Sequence, residues 1–306
     1  MKIAIFGIGG IGGLVGGALA QVHPDTFFYA RGETLLAIRK YGLQIYSPTL
    51  GSFVAHPRLA TDQAQEIGPM DIIILACKGY NLPEVCQTIW PMIGRNTLIL
   101  PLVNGVLVSE LLSPFLPSCV LADGVIRVSS RKINPGEILQ ESSACSLLVG
   151  LRNGETAASL NELVRLLQSA GLTATISPHI ELNSWEKFAS MSSNSVAYLY
   201  YDGSAGTVRR HPGYQTVLEG IISPVIRIAS AKGTNLPSTF SKQYLQNFQK
   251  LPEHTTTSLY RDLKCGTRTE STELYHIVGR IVAWGQEIGI PVPYHQAVYN
   301  RYNTWN

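Results

Sequence analysis

Apolar positions fall into two regimes along the chain. Up to about residue 178, short continuous apolar runs alternate with amphipathic stretches. Beyond Pro178 the spacing becomes helical over long stretches, at 180–202, 213–232, 238–250, 270–289 and 294–304. In the first regime the strand candidates are Ile3–Phe6, Thr26–Ala30, Asp71–Ala76 and Thr97–Val103. Asp71-Ile-Ile-Ile-Leu-Ala76 lacks alternation, as expected of a strand buried on both faces of a parallel sheet. Pro101 makes the end of the fourth run irregular. Glu33–Tyr41 reads as a helix closed by Gly42, and the runs 43–46 and 52–55 flank Pro48 and Gly51 like a hairpin. Thr61-Asp62 starts a short helix ending near Gly68. Shorter strands are expected at 119–122, 125–129, 137–141 and 145–149, with a turn at Asn134-Pro135-Gly136. Helix 155–170 turns Leu160, Leu163, Val164, Leu166 and Leu167 inward, Gly171 stops it, and Leu172–Ile176 forms a last strand. The expected architecture is therefore α/β: an N-terminal doubly wound sheet at 1–178, then an all-α domain at 179–306. The cleft between two such domains is the default place for chemistry.

Composition narrows this picture. A chain of 306 residues with 45% hydrophobic content suits two packed domains, and no stretch beyond the N-terminal segment approaches a membrane span. The net charge of +3, with no basic cluster interleaved with aromatics, argues against nucleic acid. Five cysteines without Cys-x-x-Cys spacing fit reduced thiols in a cytoplasmic protein, and the seven histidines lack metal-ligand spacing. Lys2 and the apolar run to Ala18-Leu19-Ala20 imitate a secretory leader. Its seven glycines and the strand that follows favour a different reading.

That reading is a phosphate loop. Strand Ile3–Phe6 runs into Gly7-Ile8-Gly9-Gly10-Ile11-Gly12, and a small-residue helix follows. Gly7 suits the tight turn, Gly9 the approach of backbone to a pyrophosphate, and Gly12 close helix–strand packing. The helix N-terminus offers N–H groups and a positive dipole end to the anion. After the second strand, NAD readers carry an acidic residue on the ribose, whereas an arginine suits a 2′-phosphate. Here Arg31 stands nineteen positions after Gly12, with no carboxylate at the strand tip. NADP(H) is favoured, although Arg31 also fits an ordinary solvated loop.

Open parallel sheets bind ligands beyond the C-terminal ends of their strands. Lys78 and Asn104 fall there, after the third and fourth runs. Trp185-Glu186-Lys187 opens the helical part, where a lysine is ordinarily a solvated charge. Ser258-x-x-x-Asp262 and Thr269-Glu270 follow. Unaided, Thr269 and Glu270 are explained as cap and first-turn charge of the next helix.

In their order along the chain, the glycine loop, Ala30-Arg31-Gly32-Glu33, Ala76-Cys77-Lys78, Asn104-Gly105, Trp185-x-Lys187, Ser258-x-x-x-Asp262, Glu270 and Gly289-Ile-Pro-Val-Pro293 form a set. The set resembles the ketopantoate reductase family, the 2-dehydropantoate 2-reductases. The resemblance implies a Rossmann-type domain joined to a helical one, NADPH as cofactor, and reduction of a small-molecule 2-keto acid, most simply 2-dehydropantoate to pantoate in pantothenate biosynthesis. It further implies Lys187 as proton donor and Glu270 as the carboxylate holding that lysine and a substrate hydroxyl. Ser258 would receive the substrate carboxylate, with Lys78 and Asn104 orienting nicotinamide and substrate. The chain departs from the family at Met191 and Ser195, four and eight residues after the lysine, and at Thr255, where asparagines are usual. Asn194, seven residues after Lys187 and nearly on its helix face, is the candidate replacement contact, with Asn183 on the same face. Competing readings are another two-domain NADP-dependent reductase acting on a different 2-keto acid or an imine, and a non-catalytic NADP(H) sensor that signals through a partner. Helices such as 213–232 are equally suited to internal packing and to a homodimer surface.

Overall fold

The computed structural model describes residues 1–106 and 108–303; residue 304, where the last expected helix ends, lies outside them. Two compact units form, one of Met1–Val103 and Leu107–Glu181, the other of Asn104–Val106 and Leu182–Asn306. Unit 1 holds β1 (Ile3–Phe6), α1 (Gly10–Val22), β2 (Thr26–Tyr29), α2 (Gly32–Tyr41), β3 (Leu43–Ser47), β4 (Gly51–Ala55), β5 (Leu59–Thr61), α3 (Ala64–Ile67), β6 (Met70–Leu75), α4 (Leu82–Ile89) and β7 (Ile93–Pro101). It continues with α5 (Val108–Leu112), β8 (Val120–Leu121), β9 (Asp123–Arg127), β10 (Ser130–Asn134), β11 (Glu137–Gln140), β12 (Ser146–Gly150), α6 (Ala158–Ser169) and β13 (Thr173–Ile176).

The main sheet has the order β5-β2-β1-β6-β7-β8 with every neighbouring pair parallel. Its apolar strands are covered on both sides, which is why they read as unbroken runs. Ile3, Ile5, Ile72, Ile74, Leu98 and Leu100 enter one core, whereas Ala4, Phe6, Ile73, Leu75 and Ile99 enter the other. This is the doubly wound arrangement expected from the sequence.

Two smaller sheets complete the unit. One has the order β10-β11-β3-β4 and the other β13-β12-β9. The expected hairpin is present, with Leu43 opposite Ala55 and Ser47 opposite Gly51. Strand β10, Ser-Arg-Lys-Ile-Asn, is an element that the apolar pattern does not reveal, because most of its residues are exposed and polar. Helix α4 is likewise hidden by Pro83, which occupies its first turn, where a missing N–H costs nothing.

Helix α1 is glycine-rich because it is pressed between two sheets. A methyl group built on Gly16 would meet Ile5 and Phe28 of the main sheet, while methyls on Gly13 and Gly17 would meet Ile138 and Ile45 of the four-stranded one. Gly12 is tighter still: its methyl would lie 2.0 Å from the Gly7 carbonyl oxygen, a backbone atom with no freedom to withdraw.

Unit 2 is helical, with α7 (Ile180–Tyr201, whose first two residues belong to unit 1), α8 (Ala205–Arg210), α9 (Tyr214–Ala231), α10 (Phe240–Lys250), α11 (Ser258–Lys264), α12 (Arg280–Ile288) and α13 (Pro293–Tyr302). The helix expected from 270 begins later. Thr269–Ser271 is one 3-10 turn, and Tyr275–Gly279 is π-helical before α12. Trp185, Phe188 and Trp284 pack as an aromatic cluster with ring centroids 5.6–6.3 Å apart. His295 is fully buried in this unit, and burial pushes its imidazole down to about 3.

Two outcomes follow from this packing. Gly12→Ala should cost about 1–3 kcal/mol of unit 1 stability, seen as a lowered thermal midpoint. For His295, the folded pKa lies below the unfolded value of about 6.5. The unfolded chain therefore gains a proton that the folded chain refuses between those values, and stability falls as pH falls through that window. Urea titrations should show this loss at up to about 1.4 kcal/mol per pH unit, with a shallower slope in His295→Leu.

Candidate active site

The C-terminal ends of three neighbouring strands in the main sheet carry the predicted nucleotide residues. Gly7 follows β1, Arg31 follows β2 and Lys78 follows two residues after Ala76 beyond β6. Gly7 has φ +97°, a conformation open to glycine and strained for other residues. Ile8 is buried and Ile11 half-buried, so the loop offers backbone rather than side chains. No side chain caps the first turn of α1, and a methyl built on Gly9 would touch nothing within 4 Å. These features fit a dinucleotide: open space lies where a pyrophosphate would approach, beside helix N–H groups unopposed by a side-chain cap. Ser130 of β10 donates to the Gly10 carbonyl at 2.9 Å, and so holds the second sheet against the loop. Arg31 is exposed and ion-pairs with Glu84 at 3.7 Å. Lys78 is half-buried and opens a 3-10 turn over Gly79–Asn81.

In unit 2 three distant stretches of chain meet at one amide. Lys187 Nζ donates to Asn104 Oδ1 at 3.3 Å, and Asn104 Nδ2 donates to Glu273 Oε2 at 3.2 Å. The two charges fix the amide's orientation, its oxygen toward the ammonium and its nitrogen toward the carboxylate. Trp185, fully buried, sets the rotation of α7, and Lys187 lies about 200° around the helix from it. Glu273 is only 3% exposed.

Glu270 has its own surroundings. It lies on the exposed 3-10 turn and pairs with Arg268 at 3.6 Å. Thr269 donates its hydroxyl to the Tyr302 carbonyl and does not cap a helix. The chain contains two Thr-Glu pairs three residues apart, and the second is the buried one. A signal for it was present: Glu273 stands four residues before Ile277, on the apolar stripe of the segment that follows. A carboxylate on such a stripe needs a partner.

The substrate-side candidates also divide. Ser258 is the first residue of α11, half-buried, beside Thr257, whose hydroxyl accepts the Tyr260 N–H. Ser195 is fully buried and donates to Thr257 Oγ1 at 3.1 Å and to the Met191 carbonyl at 2.9 Å. Its hydroxyl thus braces the start of α11. Asn194 is half-buried, and its Oδ1 is buried without a hydrogen-bond partner. Asn183 donates weakly to Glu186 at 3.5 Å. Among the described residues no group of three His, Cys, Asp or Glu is arranged to hold a metal, and no helix is long and apolar enough to cross a membrane.

Comparison with known proteins gives this arrangement its family. The sequence pattern of "Ketopantoate reductase PanE/ApbA" matches residues 3–153, and that of "Ketopantoate reductase PanE/ApbA C terminal" matches residues 179–304. The chain belongs to the ketopantoate reductase family. It is 25% identical over 98% of its length to the uncharacterized oxidoreductase YkpB of Bacillus subtilis, covering 97% of that protein. It is 23% identical to a 2-dehydropantoate 2-reductase of Halobacterium salinarum, across 96% of this chain and 95% of that one. The crystal structure of 2-dehydropantoate 2-reductase from Porphyromonas gingivalis superposes with a TM-score of 0.85 at 28% identity, covering 99% of both chains. This ketopantoate reductase homologue is accordingly an oxidoreductase with a parallel-sheet N-terminal part and a helical C-terminal part.

Since Gly9 has φ −96°, an alanine fits its backbone. Gly9→Ala should leave the thermal midpoint unchanged. It should weaken binding of a nicotinamide dinucleotide by about tenfold or more in a fluorescence titration, because the methyl occupies the pyrophosphate's approach.

Proposed function

We propose that the protein reduces a 2-keto acid to a 2-hydroxy acid at the expense of NADPH, with 2-dehydropantoate as the first candidate substrate. The observation that carries this reading is the Lys187–Asn104–Glu273 chain of hydrogen bonds. Gly7 to Gly12, Arg31 and Lys78 would hold the dinucleotide. When bound, its reduced nicotinamide would supply the hydride that adds to the C2 carbonyl carbon of the substrate. Negative charge then grows on the carbonyl oxygen as the carbon–oxygen π bond opens. The Lys187 ammonium stabilises that charge and gives the oxygen its proton, leaving a neutral amine that solvent reprotonates. Asn104 keeps the ammonium aimed, since its own amide is held by Glu273. Ser258 receives the substrate carboxylate, and Asn194 offers a polar contact two turns along the same helix face from Lys187.

Glu273, rather than Glu270, takes the role of the supporting carboxylate in this scheme. Arg31 makes NADPH the preferred nucleotide by pairing with the 2′-phosphate, for which its partner Glu84 must be exchanged.

A second reading concerns the substrate alone. Met191 presents a thioether one turn after Lys187, and the Ser195 hydroxyl is already engaged by Thr257 and Met191. Such a wall suits a 2-keto acid with a branched or bulkier apolar side chain better than one carrying a second hydroxyl. Relatives named for 2-dehydropantoate support the first reading, and these two residues support the second.

NADPH depletion over a panel of 2-keto acids that includes 2-dehydropantoate tests both. Lys187→Met should lower kcat by about 10²–10⁴-fold while nucleotide affinity is kept. Glu273→Gln should lower kcat by about tenfold or more and Glu270→Gln should stay near wild type. Full activity in Lys187→Met would remove the proton donor from the scheme.

A further inference from the structure

Strand β10 runs along the nucleotide loop, and its side chains have a consequence for which dinucleotide is bound. In an antiparallel pair, residues directly opposite each other point to the same face. Lys132 is opposite Ile138. Ile138 is fully buried against α1, so that a methyl on Gly13 would collide with it. Lys132 therefore rises on the face that packs on α1, as does Ser130, two residues earlier, whose hydroxyl holds the Gly10 carbonyl. Arg131, between them, turns the other way and pairs with Glu141 at 2.8 Å.

The Lys132 ammonium is fixed at a definite place. Its Nζ donates to Thr34 Oγ1 at 2.9 Å. Thr34 is buried in the first turn of α2, three residues after Arg31, and Arg31 is the residue at which β2 gives way to that helix. Two cations thus stand around the same short stretch. One arrives along the chain from β2 and the other across space from the second sheet. In doubly wound folds the dinucleotide runs from the N-terminus of the first helix to the end of the second strand, where its adenosine ribose is read. Ser130 marks the first of these points and Lys132 the second.

We infer that Lys132 is a specificity-determining residue for the cofactor, a second cation that with Arg31 receives the 2′-phosphate of NADP(H). The inference rests on the reading that the Gly7–Gly12 loop holds a dinucleotide. Arg31 is drawn toward Glu84 in this structure, at 3.7 Å with both side chains well exposed. Among the described residues Lys132 pairs with no carboxylate and hydrogen-bonds a neutral hydroxyl, so its charge is available to a dianionic phosphate without exchange of an ion pair. A lysine acts here as a point charge, whereas the arginine supplies a planar fork, and the two together discriminate more strongly than either.

The test is a set of binding titrations on the full chain, followed by nucleotide fluorescence, with NADPH, NADH, adenosine 2′,5′-bisphosphate and AMP. Lys132→Met keeps the stem and deletes the charge; Lys132→Arg keeps the charge. Lys132→Met should weaken NADPH and adenosine 2′,5′-bisphosphate by about tenfold while NADH and AMP change by less than about twofold. Lys132→Arg should retain the preference for NADPH. With the wild-type protein, raising salt from about 50 mM to about 500 mM should narrow the ratio of NADPH to NADH affinity, which needs no variant to fold. Equal loss for NADPH and NADH in Lys132→Met, or no loss for either, overturns the inference. A wild-type protein that binds NADH and NADPH alike also overturns it while leaving the dinucleotide reading intact, whereas one that binds neither nucleotide removes both.

Discussion

A carboxylate shut away from water must be compensated, because desolvating an unpaired charge costs several kcal/mol. Glu273 is in that position, and the amide of Asn104 is part of its compensation. The amide then has only one orientation that suits both of its ends, and the ammonium of Lys187 occupies the other end. Each partner depends on a different piece of the chain. The rotation of α7 follows from Trp185 and Phe188 packing on Trp284, the position of Asn104 from the loop that leaves β7, and the depth of Glu273 from the turn before the π-helical segment. A local change in any of these would be felt at the lysine.

Unit 1 obeys a steric constraint instead. Helix α1 lies between the main sheet and the four-stranded sheet so closely that side chains are excluded on both sides. The same closeness brings β10 against the Gly7–Gly12 loop and leaves the space beside Gly9 open. Glycine in this segment therefore stands in two settings that substitution can separate, close packing at Gly12 and open space at Gly9.

Much of this was legible from residue order. Strands buried on both faces show as unbroken apolar runs, the glycine spacing marks the loop, and the change of period after Pro178 marks the helical part. What escaped has common physical causes. Strand β10 is polar because it is largely exposed, so nothing in its pattern distinguishes it from a loop. Helix α4 begins with a proline that reads as a breaker. Glu270 and Glu273 differ in burial, which depends on tertiary packing, and only the apolar stripe at Ile277 hints at that difference. Asn104 stands out in the sequence by its place after a strand, yet its grouping with the helical unit comes from contacts far away in sequence. The commitment of the Ser195 hydroxyl to Thr257 could not be read from either residue alone.

The proton transfer proposed for these groups needs an ammonium at one point and an orienting amide beside it. Its most direct test is chemical rescue. Lys187→Ala protein, saturated with NADPH and a 2-keto acid that the wild type turns over, should regain activity saturably when a small primary amine such as ethylamine is added. The recovered rate should follow the protonated fraction of the amine. A variant that still binds the nucleotide but responds to no amine at any pH would contradict the assignment of the proton donor.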